Sequence, residues 1–233
     1  MCFVCHVITN PSHMTPEEIK STWDLTSLQK QLKSVFEKNS ENELLKILKN
    51  NSFLFYDLFS RKFGTQPIFH EISFGGGYRC DFAWLNDNSN GPEWVLVEIE
   101  KPRLKTFKKN GEPSHFLSHA IEQVKSWNRY FNENPNEKKR IFGAVARFRL
   151  ILVAGDKDNW EQERAAKWRI DHNNETKIEI RSSETFIRSF NILETHPEML
   201  WSFAENPKTL NPAGLENFWT NYGYMDRWRK TIH

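Results

Sequence analysis

Trp94 to Pro102 reads WVLVEIEKP, and the fold turns on how that stretch is understood. Trp94, Val95, Leu96, Val97 and Ile99 suit an interior β-strand, because β-branched and aromatic side chains pack well on a pleated surface. Glu98 and Glu100 do not. Side chains alternate along a strand, so the two carboxylates share a face. Burying like charges together is costly unless a cation neutralises them. The spacing therefore leaves two readings: a solvated strand end beside Lys101 and Lys105, or a pair that shares a metal ion. Hard divalent cations such as Mg²⁺ take oxygen ligands of this kind.

The flanking sequence weighs on that choice. Upstream, RCDFAWL puts Asp81 between Cys80 and Phe82, a charge within an apolar strand. Downstream, Arg103 to Pro113 is a basic loop, and Ser114 caps a helix running to about Phe131. Phe116, Ala120, Val124, Trp127 and Phe131 mark one side of that helix, and it carries Gln123. The ordered set Asp81, Glu98-x-Glu100, Gln123 favours the metal reading.

Further out, Asp24 to Asn39 places Leu25, Leu28, Leu32, Val35 and Phe36 at helical spacing. Ser40 with Glu43 matches a capping box for a following helix. Phe53 to Phe63 predicts a short helix. IFHEISF and YRCDFAWL predict two strands about the turn Gly75-Gly76-Gly77, with NDNSNGP as a loop before the third. RLILVAG is a continuous apolar run of the kind found in a covered sheet. Trp160 to Ile170 reads as a helix, KIEIRS as a strand and Ser183 to Leu193 as a helix; Glu194 to His233 shows no clear period. This order predicts an α/β fold, a mixed central sheet flanked by helices.

Composition narrows the class. The 233 residues suffice for a sizeable core. Lys+Arg 32 against Asp+Glu 30 gives no global polyanion-binding signal, so nucleic-acid affinity would have to come from local basic patches. No apolar run is long enough to span a bilayer and no basic signal-peptide start is present, so the chain reads as soluble and cytoplasmic. Three cysteines are too few for a disulfide framework. Cys2-x-x-Cys5-His6 lacks a second ligand pair and makes a poor zinc site. Pro11-Ser12-His13 before Met14 reads as cloning residue, with native numbering starting at Met14.

RCDFAWL, WVLVEIEKPRLKTFKKNGEPSHFLSHAIEQVKSWNRYF and FRLILVAG together resemble the nuclease domain of the Shedu anti-phage defence family, within the PD-(D/E)xK superfamily. The likeness covers about Glu41 to Phe190. It implies a restriction-endonuclease-like core over 41–194, an N-terminal leader and helix over 1–40, and a Trp-rich extension over 195–233, packed on the core or at an oligomer interface. Carried over residue by residue, it makes Asp81, Glu98 and the backbone carbonyl of Ile99 ligands of Mg²⁺ or Mn²⁺. Gln123, with Trp127 in the aromatic place, is similar to the Gln-x-x-x-Tyr helix motif of RecB-like nucleases. Glu100 stands where the superfamily usually has lysine and is a candidate to position or deprotonate the metal-bound water; Lys101, the other catalytic candidate, is aimed at the opposite face of a regular strand and would serve only through a bulge or at a frayed strand end. Glu43 is a candidate additional acid, and His119, on the helix face of His115 and Gln123, a candidate lining residue. Lys101, Arg103, Lys105, Lys108 and Lys109 would touch DNA phosphates without reading sequence.

The activity implied is metal-dependent DNA cleavage in anti-phage defence. The alternative is a catalytically inactive nuclease-fold protein acting as a nucleic-acid-binding, regulatory or assembly module. A homo-oligomer is expected in either case, with the trigger in oligomer state or in a regulatory partner.

Overall fold

In the computed structural model, which describes residues 14–62 and 64–232, WVLVEI lies on the middle strand of a five-stranded sheet. The strands β1 (Phe69–Gly75), β2 (Tyr78–Asn88), β3 (Gly91–Ile99), β4 (Arg147–Val153) and β5 (Ile178–Arg181) are ordered as in the chain. The first three pair antiparallel and the last two join in parallel, so the sheet is mixed. Connections explain the change of direction, because tight turns return a strand antiparallel whereas a parallel partner needs a crossover helix. Gly75, Gly76 and Gly77 turn the first hairpin at φ of +88°, +60° and +83°, a run that residues with a Cβ do not adopt cheaply.

The second hairpin corrects the expected NDNSNGP loop. β2 continues to Asn88 and β3 begins at Gly91, leaving Ser89 and Asn90 as the turn. Polar side chains survive at these strand ends because they are paired. Asn86 donates to Glu93 at 2.8 Å, and Asp87 accepts from Arg61 at 2.6 Å and from Tyr222.

Both faces of the sheet are covered. Trp94 and Leu96 point to one core with α4 (His115–Glu133), α5 (Pro135–Phe142), α7 (Glu163–Glu175), α10 (Leu215–Asn221) and α11 (Gly223–Thr231). Val95, Val97 and Ile99 point to the other, with α1 (Pro16–Ser21), α2 (Leu25–Lys38), α3 (Glu41–Asn50), a buried 3₁₀ turn at Ser52–Leu58 and α8 (Glu184–Thr195). That turn replaces the helix expected over Phe53 to Phe63. Phe53, Leu54, Phe55, Tyr56 and Leu58 are buried all round and present no amphipathic stripe to hold a longer helix on a surface.

On α4 the buried line runs through Leu117 rather than Phe116, which is 60% exposed. The helix expected over Trp160 to Ile170 divides at Gln162, whose backbone is extended, into α6 (Lys157–Glu161) and α7. The C-terminal segment shows no long period because its helices are short, α9 (Trp201–Ala204) being four residues. Trp219 is buried within its own chain and donates to the carbonyl of Ile141 at 3.0 Å, whereas Trp201 and Trp228 are half-buried. No helix among the described residues is long and apolar enough to cross a membrane. Cys2, Cys5 and His6 lie outside the described residues.

Candidate active site

Register decides which carboxylates meet. The β2–β3 ladder closes with Phe82 opposite Val97, so Asp81 and Glu98 face each other one step beyond, on the side covered by α4. Both are buried, at 7% and 8% exposure. Acidic side chains are almost never that buried without a partner, and like charges directly opposite on a sheet are destabilising. Their surroundings satisfy them in part. The backbone N–H of Ile99 donates to Asp81 Oδ2 at 2.8 Å. Gln123, reaching down from α4, donates from Nε2 to Glu98 Oε1. Glu98 Oε2 is buried and accepts no hydrogen bond among the described residues.

Burial pushes the proton affinity of both groups up. For Glu98, which rises well above the carboxylate range, the charges of Asp81, Glu100 and Glu41 add to the effect of burial. For Asp81 the Ile99 N–H opposes the rise, and the charge of Glu41 reinforces it. Glu100 follows immediately after β3, its N–H still bonded to Val153 O at 2.9 Å. Burial, then Glu41 and Asp81, push it up to about 7, with the Lys101 ammonium pulling back.

A further acid enters from α3. Glu41, the first residue of that helix, is half-buried and its charge reaches Asp81, Glu98 and Glu100. Glu43 goes elsewhere. The Ser40 hydroxyl accepts from its N–H at 3.3 Å as a capping box requires, but its carboxylate pairs with Lys38 at 3.3 Å and lines the groove between α2 and α3. Nothing in the sequence distinguishes Glu41 from an ordinary first-turn acid, which the helix dipole alone would favour.

Arg79 is the second residue without a sequence signal. Two positions before Asp81 on β2, it lines the same pocket, about 370 Å³, with Asp81, Glu98 and Gln123. Glu71, across from Asp81, adopts φ +53° and drops out of the ladder between His70–Phe82 and Ile72–Cys80. Its carboxylate pairs instead with Lys49 at 2.8 Å and Arg79 at 3.6 Å, which keeps a third acid from lying squarely opposite the pair. This pocket is not the largest; a cavity of about 830 Å³ at the N-terminal ends of the parallel strands is larger. Chemistry rather than volume selects the site.

The other expected residues are placed around it. Lys101 is exposed where the chain leaves the sheet, its charge acting on Glu41 and Glu100. Arg103 pairs with Asp156 at 3.5 Å and its N–H donates to Asn39 at 2.7 Å, while Lys108 pairs with Glu112 at 3.2 Å. Lys105 and Lys109 are exposed and make no ion pair among the described residues. His119 is exposed beside His115 and does not line the pocket. Trp127, one turn beyond Gln123, is buried edge-on against Phe74.

The donor set can be tested against a divalent cation. No group of three or more His, Cys, Asp or Glu side chains among the described residues is arranged to hold a metal ion. Mg²⁺, however, is commonly held by one or two carboxylates with water and substrate oxygens completing its shell. Asp81 and Glu98, with the uncompensated Glu98 Oε2, fit that mode.

The sequence profile described as Shedu protein SduA, C-terminal, matches residues 38–186, more than half of the chain. The chain belongs to the Shedu family. No curated protein matches it. Membership associates the chain with defence, and the Shedu match spans Glu41 and every residue of the pocket from Ser73 to Gln123.

The proton affinity of Glu100 has a consequence for the metal-free Shedu chain. A folded carboxylate raised above its unfolded value stabilises fully below about pH 4.5, and that contribution is lost as pH rises through about 7. Glu100→Gln removes the loss. The variant is expected to be more stable than wild type by about 1–2 kcal/mol near pH 8 in EDTA, allowing for partial solvent screening, and equal near pH 4. Urea denaturation at the two pH values measures the difference; equal stability at both would mean that Glu100 is solvated.

Proposed function

We propose that the protein is a metal-dependent endodeoxyribonuclease with a PD-(D/E)xK-type core, hydrolysing DNA phosphodiesters in anti-phage defence. The observation that carries this reading is the buried Asp81–Glu98 pair where the β2–β3 ladder closes, with one Glu98 oxygen left without a donor among the described residues. Mg²⁺ or Mn²⁺ held by Asp81, Glu98 and the carbonyl of Ile99 would polarise the phosphodiester and lower the pKa of the attacking water.

The chain's own groups supply the rest. Gln123 fixes one oxygen of Glu98 and leaves the other for the cation. Glu100, titrating near neutrality, is suited to accept a proton from water at physiological pH, the task for which a lysine is usual in the superfamily. Arg79 brings positive charge into the same pocket, where a guanidinium pairs well with phosphate oxygens. Lys101, Lys105 and Lys109 offer backbone contacts that carry no sequence information.

Glu41 tunes this arrangement through its charge. Glu41→Gln is expected to lower cleavage about tenfold and to shift the pH profile of the rate towards lower pH, since the Glu100 proton is then held less tightly. An unshifted profile would separate Glu41 from the site.

The experiment for the function itself is plasmid and linear DNA cleavage with Mg²⁺, Mn²⁺ or EDTA. Cutting that requires the divalent ion is the expected result; cutting that persists in EDTA contradicts it. The glutamate in the usual lysine position favours one other reading, a non-catalytic DNA-binding or regulatory module. That module would bind DNA without metal and keep binding it after Asp81 is replaced. Either form is compatible with a homo-oligomer or a regulatory partner that triggers it.

A further inference from the structure

Where β5 ends, a crevice of about 530 Å³ opens between α7 on one face of the sheet and α8 on the other. It is separate from the carboxylate pocket and shares no lining residue with it. Four cations, Lys157, Arg169, Arg181 and Arg188, line it against two carboxylates, Glu161 and Glu184. Two of the guanidiniums are tethered: Arg181 to Glu179 at 2.5 Å and Arg188 to Asp57 at 2.7 Å. Arg169 is not. It lies 5.0 Å over the Trp160 ring, half-buried, with no carboxylate at ion-pair distance among the described residues.

That arrangement is costly as it stands. Burial and the neighbouring charges of Arg181 and Arg188 all disfavour the Arg169 cation, and no acid offsets them. An arginine cannot escape by losing its proton, so the site calls for an anion. Each tethered guanidinium keeps donors to spare, since the group carries five N–H bonds and one carboxylate does not use them all. Ile170, 58% exposed on the same wall, offers apolar surface for a flat ring. The flanking Glu161 and Glu184 oppose a long run of phosphates and favour a small ligand.

We propose that this crevice binds a small phosphorylated ligand of the nucleotide class, with Arg169 pairing with its phosphate. The site makes the protein responsive to a soluble metabolite independently of DNA at the carboxylate pocket.

The test uses the full chain carrying Asp81→Asn, titrated calorimetrically in EDTA so that the carboxylate pocket takes no part. The probes are inorganic pyrophosphate, ATP and a short DNA duplex. Arg169→Met keeps the aliphatic stem over Trp160 and removes the charge; if it lowers the melting temperature, Arg169→Gln is read in its place. Lys138→Ala, in the larger cavity at the other end of the sheet, is the control. The expected result is saturable binding of ATP or pyrophosphate at one equivalent, weakened at least about tenfold by Arg169→Met and unchanged by Lys138→Ala. Absence of saturable binding at millimolar probe, or binding indifferent to Arg169, overturns the proposal. Binding of duplex alone, lost with Arg169, also overturns it and makes the crevice a polynucleotide contact.

Discussion

Asp81→Asn and Glu98→Gln are each expected to lower metal-dependent DNA cleavage by about three orders of magnitude, because a bound cation contributes several kcal/mol to the transition state and each loses a charged ligand. The fold is expected to persist. Asn at position 81 keeps an oxygen to accept the Ile99 N–H, which an alanine would leave unpaired at a cost of about 1–3 kcal/mol. Gln at position 98 can still accept from Gln123. Both changes also remove a buried charge whose ionisation burial opposes, so the melting temperature of the metal-free variants should match or exceed that of wild type. Cleavage assays on purified protein, with thermal melts on the same samples, measure both effects. Activity within tenfold of wild type in both variants would remove the pair from the chemistry.

The largest effect on stability is expected from Trp94→Ala. Trp94 is fully buried on the middle strand, its ring 5.0 Å from Phe142 and 6.5 Å from Phe218, and its indole N–H donates to Ala144 O at 3.1 Å. The substitution opens a large cavity between the sheet and α5, for which replacement of a core tryptophan costs about 4 kcal/mol. That is a substantial part of the roughly 5–15 kcal/mol that holds a domain folded. Chemical denaturation should show a lower midpoint with an unchanged slope; a loss below about 1 kcal/mol would mean that the core collapses around the site.

The sheet was legible because its strands carry apolar runs that only a doubly covered sheet accommodates, and RLILVAG and WVLVEI stand side by side in parallel register. Asp81 and Glu98 were legible because each is a charge out of place on an apolar strand, and Gln123 because its helix is similar to the Gln-x-x-x-Tyr motif and follows the carboxylates in order. Glu41 and Arg79 were not. Each lies at a position where its residue type is ordinary, the first turn of a helix and the exposed end of a strand, and only tertiary packing brings them to the pair. The resemblance points to Glu43 as the additional acid, but Glu43 forms half of the capping box and its carboxylate pairs with Lys38. The basic loop carries counter-charges of two kinds: Lys108 pairs with Glu112 four residues on in the same loop, and Arg103 with Asp156, which only the folded chain brings near. The 3₁₀ turn at Ser52–Leu58 escaped for a related reason: a run apolar on all sides has no period to read.

The proposed activity requires Asp81 and Glu98, buried side by side, to hold a divalent cation. Calorimetric titration of Mn²⁺ into the wild-type chain and into Asp81→Asn, without DNA, tests it most directly. Saturable binding by wild type that is abolished by Asp81→Asn is the expected result. Absence of binding by the wild-type chain, or equal binding by both, would contradict it and leave the buried pair without its cation.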